Sequence, residues 1–267
     1  MLRDITIGQY FPGKSIVHRT DPRLKLVLVI LMIVTLFLAA GPISYALLAL
    51  YIFSVIKISG IQPKMVVRGL KPVVFIVVFT ALLNLFYTPG TELWGFGFLH
   101  ITDQGVRVAI LMVLRILLLI IGTSMLTYTT SPIELTDGLE MLLSPLKKIH
   151  LPVHELAMMM SIALRFIPTL IEETEKIIAA QKARGADFES GNIIQRARAM
   201  VPILVPLFIS AFRRADELAI AMECRLYRGD VGRTRMKQMK LGRVDALTGA
   251  VSVLVFAAVI VLGRMGW

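Results

Sequence analysis

Residues 24–40 read LKLVLVILMIVTLFLAA, an apolar run with a single charge, Lys25. A helix crosses ~30 Å of hydrocarbon with about 20 such residues, and 17 is the short end of the range. The stretch around its start, HRTDPRLK (18–25), is built to open a helix. Asp21 can accept from a free N–H of the first turn, and Pro22 suits the first helical position, where no N–H is needed. Outward from this span the pattern recurs. Gly41 and Pro42 make a tight, uncharged turn, and residues 44–59 return across the membrane. A third span covers 73–87, with room for an earlier, interfacial start. A fourth covers 106–128 with Arg115 inside it, and a fifth covers 246–262, before the closing GRMGW.

The composition agrees with this reading. Apolar residues make up 56% of the 267 positions, and the mean hydropathy is +0.75. Both lie far outside the range of soluble domains. The net charge of +11 would point to nucleic acid in a soluble protein. Here it fits basic loops on the cytoplasmic face and anionic lipid headgroups. No exposed aromatics interleave the basic residues and no nucleic-acid motif is present, so no nucleic-acid partner is expected. The first 20 residues are mixed polar and no cleavage site follows the first apolar run, so no signal peptide is expected.

The loop charges orient the chain. Five Lys/Arg lie in the first 25 residues, and Lys57, Lys64, Arg68 and Lys71 join the second span to the third. The first-to-second connection and the loop 88–103, with Trp94, Glu92 and Asp103, carry no Lys or Arg. Five spans with the N-terminus inside put every basic segment on one face and the C-terminus outside. The expected organisation is therefore 1–128 (N-terminal segment and four spans), 129–243 (a cytoplasmic helical domain) and 244–267 (the last span).

Residues 129–243 are expected to form three amphipathic helices. The first starts at Ser131–Pro132 with Glu134 and runs to about Lys148. The second starts at LPVHE (151–155), with Leu156, Met159, Met160, Ala163, Ile167, Leu170, Thr174 and Ile178 on one stripe at 3–4 spacing. Pro168 should kink it, Glu172 and Lys176 form an i,i+4 pair, and Gly185 stops it. The third runs from about Ile193 to Tyr227, bent at Pro202 and Pro206, with an Arg213–Glu217 pair. Its stripe includes Leu204, Phe208, Ala211, Phe212 and Ala215.

Little of this chain can do chemistry. It has no phosphate-binding G-x-x-x-x-G-K-[ST] loop and no HExxH, since HELAM (154–158) has Met158 where the second histidine should stand. The lone Cys224 excludes an internal disulfide and any CxxC site. No catalytic residue, cofactor or metal is expected. What remains is a pair of arginines closing the two long helices, Arg184 and Arg225. Two readings are open. Each cation can complement the partial negative charge of a helix C-terminus. Alternatively, each guanidinium is a bidentate connector aimed at an acidic partner. Repetition on successive helices, the predicted cytoplasmic side, and small residues beside Arg184 favour the second.

Three stretches, GQYFPGKSIVHRTDPRLK (8–25), RFIPTLIEETEKIIAAQKARGAD (165–187) and PILVPLFISAFRRADELAIAMECR (202–225), resemble the transmembrane T component (EcfT/CbiQ-like) of energy-coupling factor transporters. The resemblance covers essentially the whole chain. It implies an all-α integral membrane protein of a prokaryotic plasma membrane, with about five spans and a coupling-helix domain before the last. It also implies a non-enzymatic subunit that links two ABC-type ATPases to uptake of a vitamin or a cobalt- or nickel-like metal ion through a separate substrate-binding S component. The ATPase-coupling residues implied are Ala183, Arg184 and Gly185, and Cys224, Arg225 and Leu226. The second set departs from the family's Ala-Arg-Gly pattern on both sides of its arginine. The S-component surface implied is Met159, Met160, Ala163, Ile167, Leu204, Phe208, Ala211, Phe212 and Ala215. The principal rival is an ordinary ABC permease that lines the substrate path itself. Arg115 is its best support, because an intramembrane charge can mark a pathway. Against this stands a structural role for Arg115, paired with a carboxylate or carbonyl in the bundle.

Overall fold

The computed structural model describes residues 10–96, 99–188, 192–229, 239 and 241–264. A short helix α1 (Ile16–Arg19), capped by Ser15 Oγ accepting from His18 N, precedes α2 (Pro22–Leu38) and α3 (Pro42–Ser59). Asp21 caps α2 through its carboxylate, which accepts from Arg23 N at 2.8 Å. Then come α4 (Pro63–Leu70), a 3-10 turn at Lys71–Val73, and α5 (Val74–Tyr87). A two-stranded antiparallel hairpin, β1 (Glu92–Phe96) and β2 (Leu99–Thr102), precedes α6 (Asp103–Thr129), where Thr102 Oγ1 accepts from Gly105 N. The remaining helices are α7 (Pro132–Leu143), α8 (Val153–Ala183), α9 (Ile193–Cys224) and α10 (Arg243–Arg264).

This is an all-α membrane protein, with one small hairpin in the loop before α6. Six helical stretches are long and apolar enough to span a bilayer: 42–59, 63–87, 103–129, 153–183, 194–224 and 243–264. α2, at 17 residues, is at the short end of the same range. The earlier start allowed for the third span is the α4 helix, which Pro72 in the 3-10 turn separates from α5.

The chain divides into two compact units, one drawn from Gly8–Met141 with Gln238–Trp267 and the other from Leu142–Lys237. In the first, α2, α3, α6 and α10 close on Leu36, Leu48 and Val259, with Met32, Ile52, Leu118 and Phe256 around them. Gly122 lets the end of the Met32 side chain pack directly on α6, and a Cβ there would displace it. Outward-facing side chains such as Phe37, Phe53, Phe75 and Leu254 remain exposed, which suits a hydrocarbon surround.

Four charged side chains in this first unit, Lys25, Asp245, Arg23 and Arg115, are tied down. Lys25 is 7% exposed, and its ammonium donates to Thr129 O and Thr130 Oγ1 at 3.0 Å each and to His18 O at 3.4 Å. That joins the start of α2 to the end of α6. Asp245 accepts from Asp21 N and Gly242 N, both at 2.7 Å, which holds the start of α10 against the start of α2. Arg23 pairs with Asp21 at 2.7 Å and reaches Met239 O at 3.3 Å. This hydrogen-bonded guanidinium holds the Asp21 carboxyl below its ordinary range. In α6, Arg115 Nε donates to Tyr45 OH at 2.8 Å and Nη2 to Ala39 O at 3.4 Å, with the Phe37 and Tyr45 rings 5.7 and 5.8 Å away. Its partner is thus the free carbonyl just past the end of α2, together with a hydroxyl.

In the second unit α8 and α9 pack as an antiparallel pair. Gln181 Nε2 donates to Pro202 O, Glu173 accepts from both Ser210 Oγ and Arg214 Nη2, and Tyr227 OH lies 3.4 Å from His154 Nε2. Partner numbers fall as α8 numbers rise, which fixes the direction.

Candidate functional site

The antiparallel pairing places the C-terminal ends of α8 and α9 far apart. By the register of those contacts, Arg184 at the end of α8 lies beside the early part of α9, and Arg225 follows the last residue of α9. About 26 residues of straight helix separate the two levels, or roughly 40 Å. The prolines at 202 and 206 shorten that span by bending α9.

Both ends are built the same way. Ala183 is the last residue of α8, Arg184 is its C-cap, and Gly185 takes a left-handed conformation with φ +87°. Gly185 N donates to Lys182 O at 3.0 Å, and Ala186 N donates back to Gln181 O at 3.0 Å. In α9, Cys224 is last, Arg225 follows, and Leu226 takes the left-handed conformation with φ +54°. Leu226 N donates to Glu223 O at 2.8 Å and Tyr227 N to Met222 O at 3.0 Å. These are two Schellman caps in which the otherwise orphaned carbonyls of the last turn gain donors. Glycine adopts that conformation freely, whereas leucine loses about 1 kcal/mol by it.

All six motif residues are exposed. Among the described residues, neither the Arg184 nor the Arg225 guanidinium has a hydrogen bond or ion pair. Each therefore projects five donors from a rigid helix tip, the arrangement suited to a carboxylate-lined groove. Of the apolar surface residues, Met159, Met160, Ala163, Leu204, Phe208, Phe212 and Ala215 are exposed, and Ile167 and Ala211 are half-buried. Exposure of Phe208 at 60% and Phe212 at 69% leaves a broad apolar face uncovered on α9. Periodicity missed the residues that hold the pair together, namely Glu173, Ser210, Arg214, His154 and Tyr227. All are polar side chains facing the partner helix, on or beyond the edges of the apolar stripes. Among the described residues, no three His, Cys, Asp or Glu side chains gather as a metal cluster would.

The profile of the CbiQ family, described as cobalt transport protein, matches residues 13–238. The chain belongs to the CbiQ/EcfT family. It is 56% identical to the energy-coupling factor transporter transmembrane protein EcfT of Ruminiclostridium cellulolyticum over 98% of both chains. It is 53% identical to that of Thermosediminibacter oceani over the whole of both, and 49% identical to that of Bacillus subtilis over 97% of this chain and 98% of that one. As a CbiQ/EcfT protein it is a multi-pass, helical membrane component of an energy-coupling transporter. Both arginine-ended caps and every helix except α10 fall within the matched span.

Proposed function

We propose that this chain is the scaffold and energy-coupling subunit of an importer, passing ATP-driven motion from two ABC-type ATPase subunits to a separate membrane-embedded S component that binds a vitamin or transition-metal ion. The observation that carries the reading is the pair of equivalent, exposed, arginine-ended caps at opposite ends of one antiparallel helix pair. A single partner groove cannot reach both. Two similar bodies, one at each end, can. Closure of the two ATPases on ATP would change the distance between the grooves, and α8 and α9 would turn about their contact at Glu173, Ser210 and Arg214. The apolar face with Met159, Met160, Leu204, Phe208 and Phe212 would follow, and with it the S component resting there. Methionine and small residues suit a surface that must bind and release. In this reading residues 129–243 and the N-terminus are cytoplasmic, and ATP hydrolysis belongs to the partners.

The permease alternative loses its main support in Arg115. Two of the five donors of this guanidinium are engaged, by Tyr45 OH and Ala39 O, and it sits between two rings, which supports a structural role in the bundle.

The test is mild-detergent purification of the tagged chain from its native host, with the co-purifying proteins identified by mass spectrometry. Two ATPase subunits and one or more small, very apolar proteins are expected. Arg184→Glu and Arg225→Glu should each release ATPase while leaving the chain in the membrane. If both variants retain the full complement, the arginines do not dock and the proposal is wrong.

A further inference from the structure

We propose that the membrane bundle carries a site for one anionic phospholipid. An acyl chain lies in a cavity between α2, α3, α6 and α10, and the headgroup meets Arg19, Lys57 and Arg243. The cavity has a volume of about 320 Å³, at the small end of the range for ligand sites. Its floor is formed by buried Met32, Ile52 and Phe256, and its rim by exposed Ile16, Ile58, Leu247 and Val251. Along α10 the wall runs from Leu247 to Phe256, about 14 Å of helix, or about half of the ~30 Å hydrocarbon layer. The cavity is therefore one leaflet deep. It occupies the half of the bundle in which α2 and α10 begin and α3 and α6 finish.

The chemistry of the walls selects a hydrocarbon chain. Each hydroxyl there already gives its hydrogen to this chain. Thr20, Ser54, Thr129 and Thr248 donate to the carbonyls of Ile16, Leu50, Met125 and Val244, and Ser252 donates to that of Thr248. Tyr51 OH in turn donates to Ser252 Oγ at 2.8 Å. Lys25, also in the wall, has its three donors on His18 O, Thr129 O and Thr130 Oγ1. A polar solute entering here would lose hydration and meet no donor in return. An acyl chain has no hydrogen bond to lose, and gains van der Waals contact along the wall.

The charge at the same end selects the headgroup. Arg19 lies three positions after Ile16, Lys57 three after Ser54 and Arg243 four before Leu247, so each shares a helix face with a residue lining the cavity. All three are exposed and, among the described residues, none has a side-chain hydrogen bond or ion pair. The carboxylates nearest them in sequence, Asp21 and Asp245, are buried and already bonded to Arg23 and to backbone N–H groups. A positive rim over an apolar slot is the complement of a phosphodiester with its acyl chain. The lipid site is independent of what the arginine-ended caps bind.

The test is native mass spectrometry of the full chain in detergent, loaded with phosphatidylglycerol or with phosphatidylcholine of the same acyl chains. One phosphatidylglycerol per chain is expected to survive collisional activation that strips phosphatidylcholine. Val251→Trp sets an indole across the rim and should weaken that binding about tenfold or more. Val253→Trp, exposed on α10 but outside the cavity, should leave it unchanged. Lys57→Gln and Arg243→Gln should each lower the preference for phosphatidylglycerol about fivefold, and the two combined with Arg19→Gln should remove it. These three cations hold nothing within the described chain, so the charge series decides the matter even if Val251→Trp fails to fold. Equal retention of the two lipids by the parent would overturn the proposal, as would a preference that the triple charge variant keeps. So would unchanged binding by a folded Val251→Trp chain, or equal losses in Val251→Trp and Val253→Trp, which would mark a loose boundary lipid only.

Discussion

Three cations of the membrane bundle and the two arginines that close α8 and α9 are held in opposite ways. In the bundle Lys25 is buried with three oxygen acceptors, Arg23 is paired with Asp21, and Arg115 is held by a hydroxyl, a carbonyl and two rings. At the two ends of the helix pair, Arg184 and Arg225 stand exposed and, among the described residues, unpartnered. A charge in a low-dielectric setting must be satisfied where it stands, or the fold loses several kcal/mol. A charge at an exposed tip is cheap to leave open. The contrast separates cations that build the protein from cations available to something else, and it can be broken at either end.

Lys25→Ala should have the largest effect. It strands Thr129 O and Thr130 Oγ1 in the bundle and unties α2 from α6. The expected loss is on the order of 4 kcal/mol, or about 10 °C in melting temperature in detergent. Lys25→Glu should be worse, because it sets a carboxylate near Asp21 and Asp245. A Lys25→Ala chain that melts like the parent would mean that the buried network is not holding the helices.

Much of this bundle can be read from the sequence, for a simple reason. Apolar length is a property of consecutive residues, and Pro22, Pro42, Pro63 and Pro132 mark helix starts by their own covalent geometry. Lys25, however, reads only as a flaw in an apolar run, because its two closest acceptors, Thr129 O and Thr130 Oγ1, lie more than 100 positions away. The hairpin at 92–102 is also hidden, being two strands of five and four residues, too short for their alternation to stand out. On α8 and α9 the expected pairs Glu172–Lys176 and Arg213–Glu217 are not closed at ion-pair distance among the described residues, while Glu173–Arg214 between the helices is, at 2.9 Å. Spacing rules see one helix at a time. The site itself was half legible. The positions of both arginines follow from the charge pattern, but the equivalence of the two caps does not. A helix was expected to continue to Tyr227, and it stops at Cys224 because Leu226 turns left-handed, which no propensity of leucine foretells.

Arg115→Ala should cost less than Lys25→Ala, about 2 kcal/mol, through the lost charged bond to Tyr45 and the exposed Ala39 carbonyl. Transport by an otherwise stable Arg115→Lys chain should be within a few-fold of the parent, which uptake assays on the assembled complex can check. A specific loss of uptake with normal stability would return Arg115 to the substrate path.

Acid should loosen the bundle through Asp21. Its folded-state carboxyl is held below the ordinary range, chiefly by the Arg23 hydrogen bond, so its contribution is fully present above the ordinary carboxylate pKa. That contribution is lost as pH falls through the lower, folded-state value. Melting temperature should therefore drop more steeply below about pH 4 for the parent than for Asp21→Asn, which no longer titrates. Parallel curves would indicate that the pairing with Arg23 adds nothing.

The smallest effect is expected at the other end of the contrast. Arg184→Ala and Arg225→Ala remove no hydrogen bond within the described chain, and both caps are closed by backbone donors that alanine leaves in place. What each arginine gives its own helix is attraction to the partial charge at the C-terminus, a few tenths of a kcal/mol at an exposed site. Each variant, purified without partners, should melt within about 2 °C of the parent. The same substitutions should weaken retention of ATPase in the assembled complex by tenfold or more, the value of one or two charged hydrogen bonds. The comparison depends on that separation. If alanine costs the isolated chain as much as it costs the complex, Arg184 and Arg225 are structural caps of the same kind as Lys25, and the open guanidinium groups are not a docking surface.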